Sequence, residues 1–249
     1  MKKNLKFIPL ILLFLISAAV LLFIISQYMP APQIIINFTQ IEKIEKISKF
    51  RSCAGHTTVP QDMKEMKRNM KHYFWVKPEY LTGNNVEIYA PFDGFVTGVR
   101  SDPAEGLEGE IWIVPKDIFV LLPPIGRWSF SVQHINILST IGRGSEVKAG
   151  QLIGHAAVSA SNRQTFDIVF AKAAFAPKQI DNWMGPFTAL DSVFNHMSEK
   201  VLGEYGIPAT RDKDDLITSE DERDSSPCVY KDNGPYFLNQ DDAANWELF

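Results

Sequence analysis

NVEIYAPFDGFVTGV (residues 85–99) and GSEVKAGQLIGHAAVSASNRQTFDIVFAK (residues 144–172) enclose EIWIVPKDIFVLLPPIGRWSFSVQHINIL (residues 110–138). Val86–Tyr89, Ile111–Val114, Trp128–Val132 and Thr165–Phe170 are short runs of apolar, β-branched and aromatic residues bounded by Gly, Pro and Asp, the pattern of strands. Ala90-Pro91-Phe92-Asp93-Gly94-Phe95-Val96 reads as an extended segment, a Pro-initiated turn, a Gly free to take positive φ, and a new strand. Gly144 to Gly154 reads as a second hairpin-like unit with Gly at both ends and at its turn.

Working outward, 249 residues can hold one sizeable core plus extensions, and a hydrophobic content of 45% is an ordinary globular value. The net charge of -4, with no Lys/Arg cluster after the first six residues, argues against nucleic acid as partner. Met1-Lys2-Lys3-Asn4-Leu5-Lys6 is basic, and Phe7 to Ile25 carries no charge, long enough to span about 30 Å of hydrocarbon as a helix. The expectation is a single-pass anchor in the cytoplasmic membrane with everything after Ser26 outside; the alternative is a secreted chain whose leader is cleaved. In an exported chain the two cysteines, Cys53 and Cys228, are expected to pair.

Ile41, Ile44, Ile47 and Phe50 recur at three-residue spacing among charged residues and suggest a short amphipathic helix; Gln61 to Lys71 reads as a polar helix. Leu190, Val193, Phe194, Met197, Val201 and Leu202 give the spacing of one buried helical face. Four segments are expected: a basic N-terminus and anchor (1–29), a connector with short helices (30–80), the β core (81–175) and a helical or irregular extension (176–249).

Ala-Pro-x-Asp-Gly-x-Val followed by Gly-x-x-Val-Lys-Ala-Gly-Gln-x-Ile-Gly resembles the barrel-sandwich core shared by biotinyl/lipoyl-type domains and lysostaphin-like zinc metallopeptidases. No Lys stands in the Met-Lys-Met-like hairpin tip of the biotinyl/lipoyl domains. The resemblance implies a mainly β, barrel-sandwich-hybrid domain, here with an N-terminal transmembrane helix and an α-helical C-terminal extension.

In the peptidases three protein ligands and an open fourth position let zinc lower the pKa of a bound water to about 7. Val132-Gln133-His134-Ile135 is similar to the strand whose His assists that water, which makes His134 the candidate catalytic residue. The ligand motifs are damaged. His72 lies upstream at about the family spacing, yet Val76 stands where an Asp is expected; His56 is followed by Thr57 and Thr58. Downstream, Thr165 and Asp167 replace the two histidines of a His-x-His strand. The candidate metal ligands are therefore His72, His56 and Asp167. Asp93, Asp102, Glu105, Glu108 and Glu110 read as solubilising acids, not as a glycosidase pair. No Gly-x-Ser-x-Gly elbow, P-loop, dinucleotide fingerprint or Cys-x-x-Cys pair is present.

The leading expectation is a degenerate member of this superfamily that binds or scaffolds at the cell envelope without cofactor, its partners an envelope peptide, glycan or protein. The alternative is a zinc-dependent metalloendopeptidase cutting peptide or cell-wall cross-links.

Overall fold

A computed structural model describes residues 8–102, 107–117, 124–161 and 163–249. The basic Met1–Lys6 segment and Glu105 lie outside the described residues, as do the side chains of Asp102 and Glu108. In chain order the strands are β1 (Ile44–Ser48), β2 (His72–Val76), β3 (Glu87–Tyr89), β4 (Gly94–Asp102), β5 (Leu107–Pro115), β6 (Trp128–Ile137), β7 (Glu146–Val147), β8 (Leu152–Ala156), β9 (Thr165–Ile180), β10 (Trp183–Asp191) and β11 (Trp246–Leu248). The α-helices are α1 (Ile8–Gln27), α2 (Glu199–Glu204) and α3 (Glu220–Ser225). The protein is mainly β, with few helices.

The strands pair in the order β11-β1-β2-β9-β6-β5-β4-β7, with β10 alongside β9 and β8 joining β3 to β6. Side chains alternate across the pleat. Phe74 of β2, Phe166 and Ile168 of β9, Phe130 and Val132 of β6 and Ile111 and Ile113 of β5 enter one core. Phe74 stacks on Phe166 with ring centroids 5.2 Å apart. The opposite face of the same strands lines a groove.

The two half-motifs lock together through the backbone. Asp93 Oδ1 accepts from Ala149 N at 2.9 Å, Gly150 N donates to Ala90 O at 2.8 Å, and Ala90 N donates to Gln151 O at 2.9 Å. A Cβ on Gly94 would lie 2.5 Å from Val114 O, so this turn admits only Gly. Asp93 is thus a structural cap on the second half-motif. Glu110, also read as a solubilising acid, is buried in the sheet, 2.9 Å from Arg100.

Three expected helices are corrected. Ile44 and Ile47 belong to β1, where a register shift between Ile44 and Lys46 turns both isoleucines inward and imitates helical spacing. Between Gln61 and Lys71 the chain makes turns, with Met63 and Lys67 at positive φ. Leu190 belongs to β10; after it the buried side chains Val193, Phe194, Met197 and Val201 are present, but Ser192 caps a 3-10 turn and Ser198 restarts the chain as α2, so the single helix expected over Leu190–Leu202 is broken into a strand end, a 3-10 turn and a six-residue α-helix.

Among the described residues no helix is long and apolar enough to cross a membrane. Within α1, described side chains run unbroken only from Ile11 to Gln27; this stretch carries no charge and its aliphatic residues face outward. At its C-terminal end Gln27 docks on the body, its side chain donating to Ile125 O at 2.9 Å and its carbonyl accepting from Lys172 Nζ at 2.8 Å.

Candidate functional site

Register places Tyr73, Asp167, Gln133, Glu110 and Arg100 opposite one another across β2, β9, β6, β5 and β4, a polar row on the groove face. Lys71, immediately before β2, shares the parity of Tyr73 and Trp75, and all three line the groove.

The Lys71 ammonium sits at the centre. It lies 2.7 Å from Asp167 Oδ2, 3.0 Å from His56 Nε2 and 3.2 Å from Gln133 Oε1, so its three N–H donors have three acceptors. His56 Nδ1 is 2.9 Å from Thr57 O, which fixes the proton on Nδ1 and leaves the Nε2 lone pair for the ammonium. Gly55 makes this approach possible: at φ +67° a Cβ would lie 2.2 Å from the Tyr73 hydroxyl.

Charge and burial oppose each other here. Burial pushes the Asp167 carboxyl up, but Lys71 and the hydrogen bond from His134 more than offset it and hold it at about 2. Burial pushes Lys71 down, and the charge of Asp167 reverses this to leave it above its ordinary value. Burial, reinforced by the Lys71 charge, lowers His56 to about 3, so His56 is neutral. Tyr73 is pushed up to about 12 by burial and stays a phenol.

His134 completes the cluster, with Nε2 3.5 Å from Asp167 Oδ2. Its backbone takes φ 63°, uncommon for a non-Gly residue. At this residue β6 changes partner. Gln133 pairs with Asp167 of β9, whereas Ile135 pairs with Ala156 of β8, and the register to β5 shifts between Gly109 and Glu110. The bulge brings the ring of His134 into the groove beside Gln133.

Of the four candidate site residues, His56, His134 and Asp167 converge and His72 does not. His72 points into the core, with Nδ1 2.7 Å from Ser48 O and Nε2 2.9 Å from Ser192 Oγ. Burial lowers it to about 4. Thr165 lines the groove opposite Trp75. Lys71, Tyr73 and Gln133 were not among the sequence candidates. The alternation Lys71, Tyr73, Trp75 beside His72, Phe74, Val76 was the available signal.

Cys53 and Cys228 form a disulfide. It ties the loop carrying Gly55 and His56 to the C-terminal segment that brings Tyr236 and Trp246 to the groove. A divalent cation does not fit these residues as they stand. Among the described residues no group of three or more His, Cys, Asp or Glu side chains is arranged to hold one. An ammonium in contact with both His56 and Asp167 would lie against any dication they held.

No family model and no curated protein matches the sequence. Several solved structures are similar over part of the chain, lysostaphin among them. Lysostaphin is similar at 17% identity and a TM-score of 0.32, over 52% of this chain and 50% of its own; the chain therefore spans half of lysostaphin's length. The catalytic domain of the prophage-encoded EnpA of Enterococcus faecalis gives 18% identity and 0.31, over 48% of this chain and 80% of its own. A chain of the SpoIIQ–SpoIIIAH pore-forming complex gives 14% identity and 0.40, over 73% of this chain and 100% of its own.

Proposed function

We propose that this protein is a membrane-anchored, non-catalytic member of the lysostaphin-like superfamily whose groove serves binding or scaffolding at the outer side of the cytoplasmic membrane. The observation that carries the reading is the Lys71 ammonium, held by Asp167, His56 and Gln133 where the candidate ligands converge. A lysine fixed in its charged form neither polarises a carbonyl as a Lewis acid does nor generates a hydroxide. The groove keeps the shape in which a polymer could lie without the means of cutting it. The anchor rests on the uncharged helix α1 and the basic residues before it.

Zinc analysis of the purified chain, paired with a cleavage assay on peptide cross-links, tests the reading. The expected result is a folded protein without zinc and without hydrolysis. About one zinc per chain, lost together with hydrolysis in Asp167→Ala, overturns it in favour of the zinc endopeptidase with His134 assisting a bound water. Alkaline carbonate extraction tests the anchor: the expected protein stays with the membrane, and release into the soluble fraction at the size of a cleaved chain supports secretion.

A further inference from the structure

The sequence contains five tryptophans, and four of them, Trp75, Trp112, Trp183 and Trp246, line the one groove of about 1110 Å³. Only Trp128 lies elsewhere, stacked on Phe170. Trp75 and Trp246 pack edge-to-face on each other beside Tyr73, in a small cluster that closes one end of the groove, whereas Trp112 and Trp183 belong to no buried cluster among the described residues.

Two of the indoles are set as platforms. Trp112 lies over Gly98 of the neighbouring strand, its ring 3.0 Å from where a Cβ on Gly98 would stand. The absence of a side chain at Gly98 leaves room for the indole, which lines the groove. Trp183, at the start of β10, covers His56 with ring centroids 4.6 Å apart and remains 39% exposed. The charges of the groove lining balance: Lys71 pairs with Asp167 and Arg100 with Glu110, and Arg163 and Asp241 add one charge of each sign. An anionic or cationic polymer would find these charges already neutralised. An uncharged, hydroxyl-rich ligand matches them, since flat aromatic faces accept its C–H groups and amide, guanidinium and carboxylate groups at the edges exchange hydrogen bonds with its hydroxyls.

We propose that the groove binds a neutral oligosaccharide, with Trp112 and Trp183 as stacking platforms and the Arg100–Glu110 pair and Gln164 as hydroxyl partners. The assignment deepens the non-catalytic reading and rests on it: with no cleavage chemistry at the floor, the chain holds the glycan without turning it over.

The test is tryptophan fluorescence of the full chain in lipid nanodiscs, titrated with chitotetraose, with cellotetraose and, separately, with pentaglycine. The expected result is a saturable change with at least one of the two sugars and none with pentaglycine. Trp112→Ala and Trp183→Ala should each weaken sugar binding about tenfold or more, a loss of about 1.4 kcal/mol, while Trp128→Phe leaves it unchanged. Because an alanine variant can loosen the groove, Gln164→Ala, at a partly exposed position on the groove wall, supplies a second reading and should weaken binding without moving the melting temperature. Absence of a saturable sugar response, a response to pentaglycine alone, or native affinity in both the Trp112→Ala and Trp183→Ala variants overturns the proposal. Those outcomes leave the non-catalytic reading standing if no zinc is bound, whereas zinc-dependent hydrolysis removes that reading whether or not a sugar binds.

Discussion

Lys71 and His72 are neighbours in sequence and almost equally buried, yet they serve opposite faces of β2 with opposite charge states. On the groove face an ammonium and a carboxylate remain ionised because their charges offset each other through Asp167 Oδ2, and His56 and Gln133 take up the remaining donors of Lys71. On the core face the imidazole of His72 is neutral, held between a carbonyl that accepts its proton and a serine hydroxyl that donates to it. Burial alone therefore does not decide ionisation in this protein. The partners across the pleat decide it, and a shift of one residue exchanges one solution for the other.

The comparison breaks most sharply at Lys71. Lys71→Met leaves the Asp167 carboxylate buried without its cation and should cost about 3–5 kcal/mol in urea unfolding. Lys71→Met with Asp167→Leu should recover most of this. A Lys71→Met cost of under about 1 kcal/mol would show the pair to be incidental. Removing the ammonium also frees the lone pair of His56 Nε2. Added zinc should raise the melting temperature of Lys71→Ala while leaving the native protein unmoved.

The acid limb of stability separates the two faces next. The folded-state value of His72, about 4, lies below its unfolded value of about 6.5. The unfolded chain therefore binds the extra proton in this window, and stability falls with decreasing pH by up to about 1.4 kcal/mol per unit. His56 adds to the loss down to about pH 3. Asp167 acts later: its stabilisation is complete above the unfolded value of about 3.9 and disappears as pH drops through about 2. Unfolding at pH 7 and pH 4.5 should show the loss, and His72→Phe should remove its share. At pH 7 His72→Phe itself should cost about 2 kcal/mol by stranding Ser48 O and Ser192 Oγ.

The smallest effect belongs to His134. His134→Gly relieves a left-handed residue while deleting a ring beside Asp167, so its net change in unfolding free energy should stay within about 1 kcal/mol. A far larger loss would make His134 a third pillar of the ion pair.

Much of the frame was legible in the sequence. The Asp93-Gly94 and Lys148-Ala149-Gly150 half-motifs are adjacent because turn chemistry leaves Asp93 and Gly150 few other roles. The four strands read from apolar runs are all present, β9 and β6 being longer than their runs suggest. The candidate site was legible in its ligand-type members, His56, His134 and Asp167, and hidden at its centre. A lysine is no metal ligand, so a search for ligands passes over Lys71. His72 was favoured by spacing, and spacing does not specify which face a strand residue occupies. β1 was concealed by a bulge that gives a strand the apolar spacing of a helix.

The link between Cys53 and Cys228 carries a consequence for where the groove can mature. Among reducing thiols the His56 loop and the Tyr236 tail would be clamped only by weaker contacts, and the sulfur bridge between them closes where thiols are oxidised. The two walls of the groove that this bridge joins are then held less firmly while the thiols are reduced than once they are oxidised.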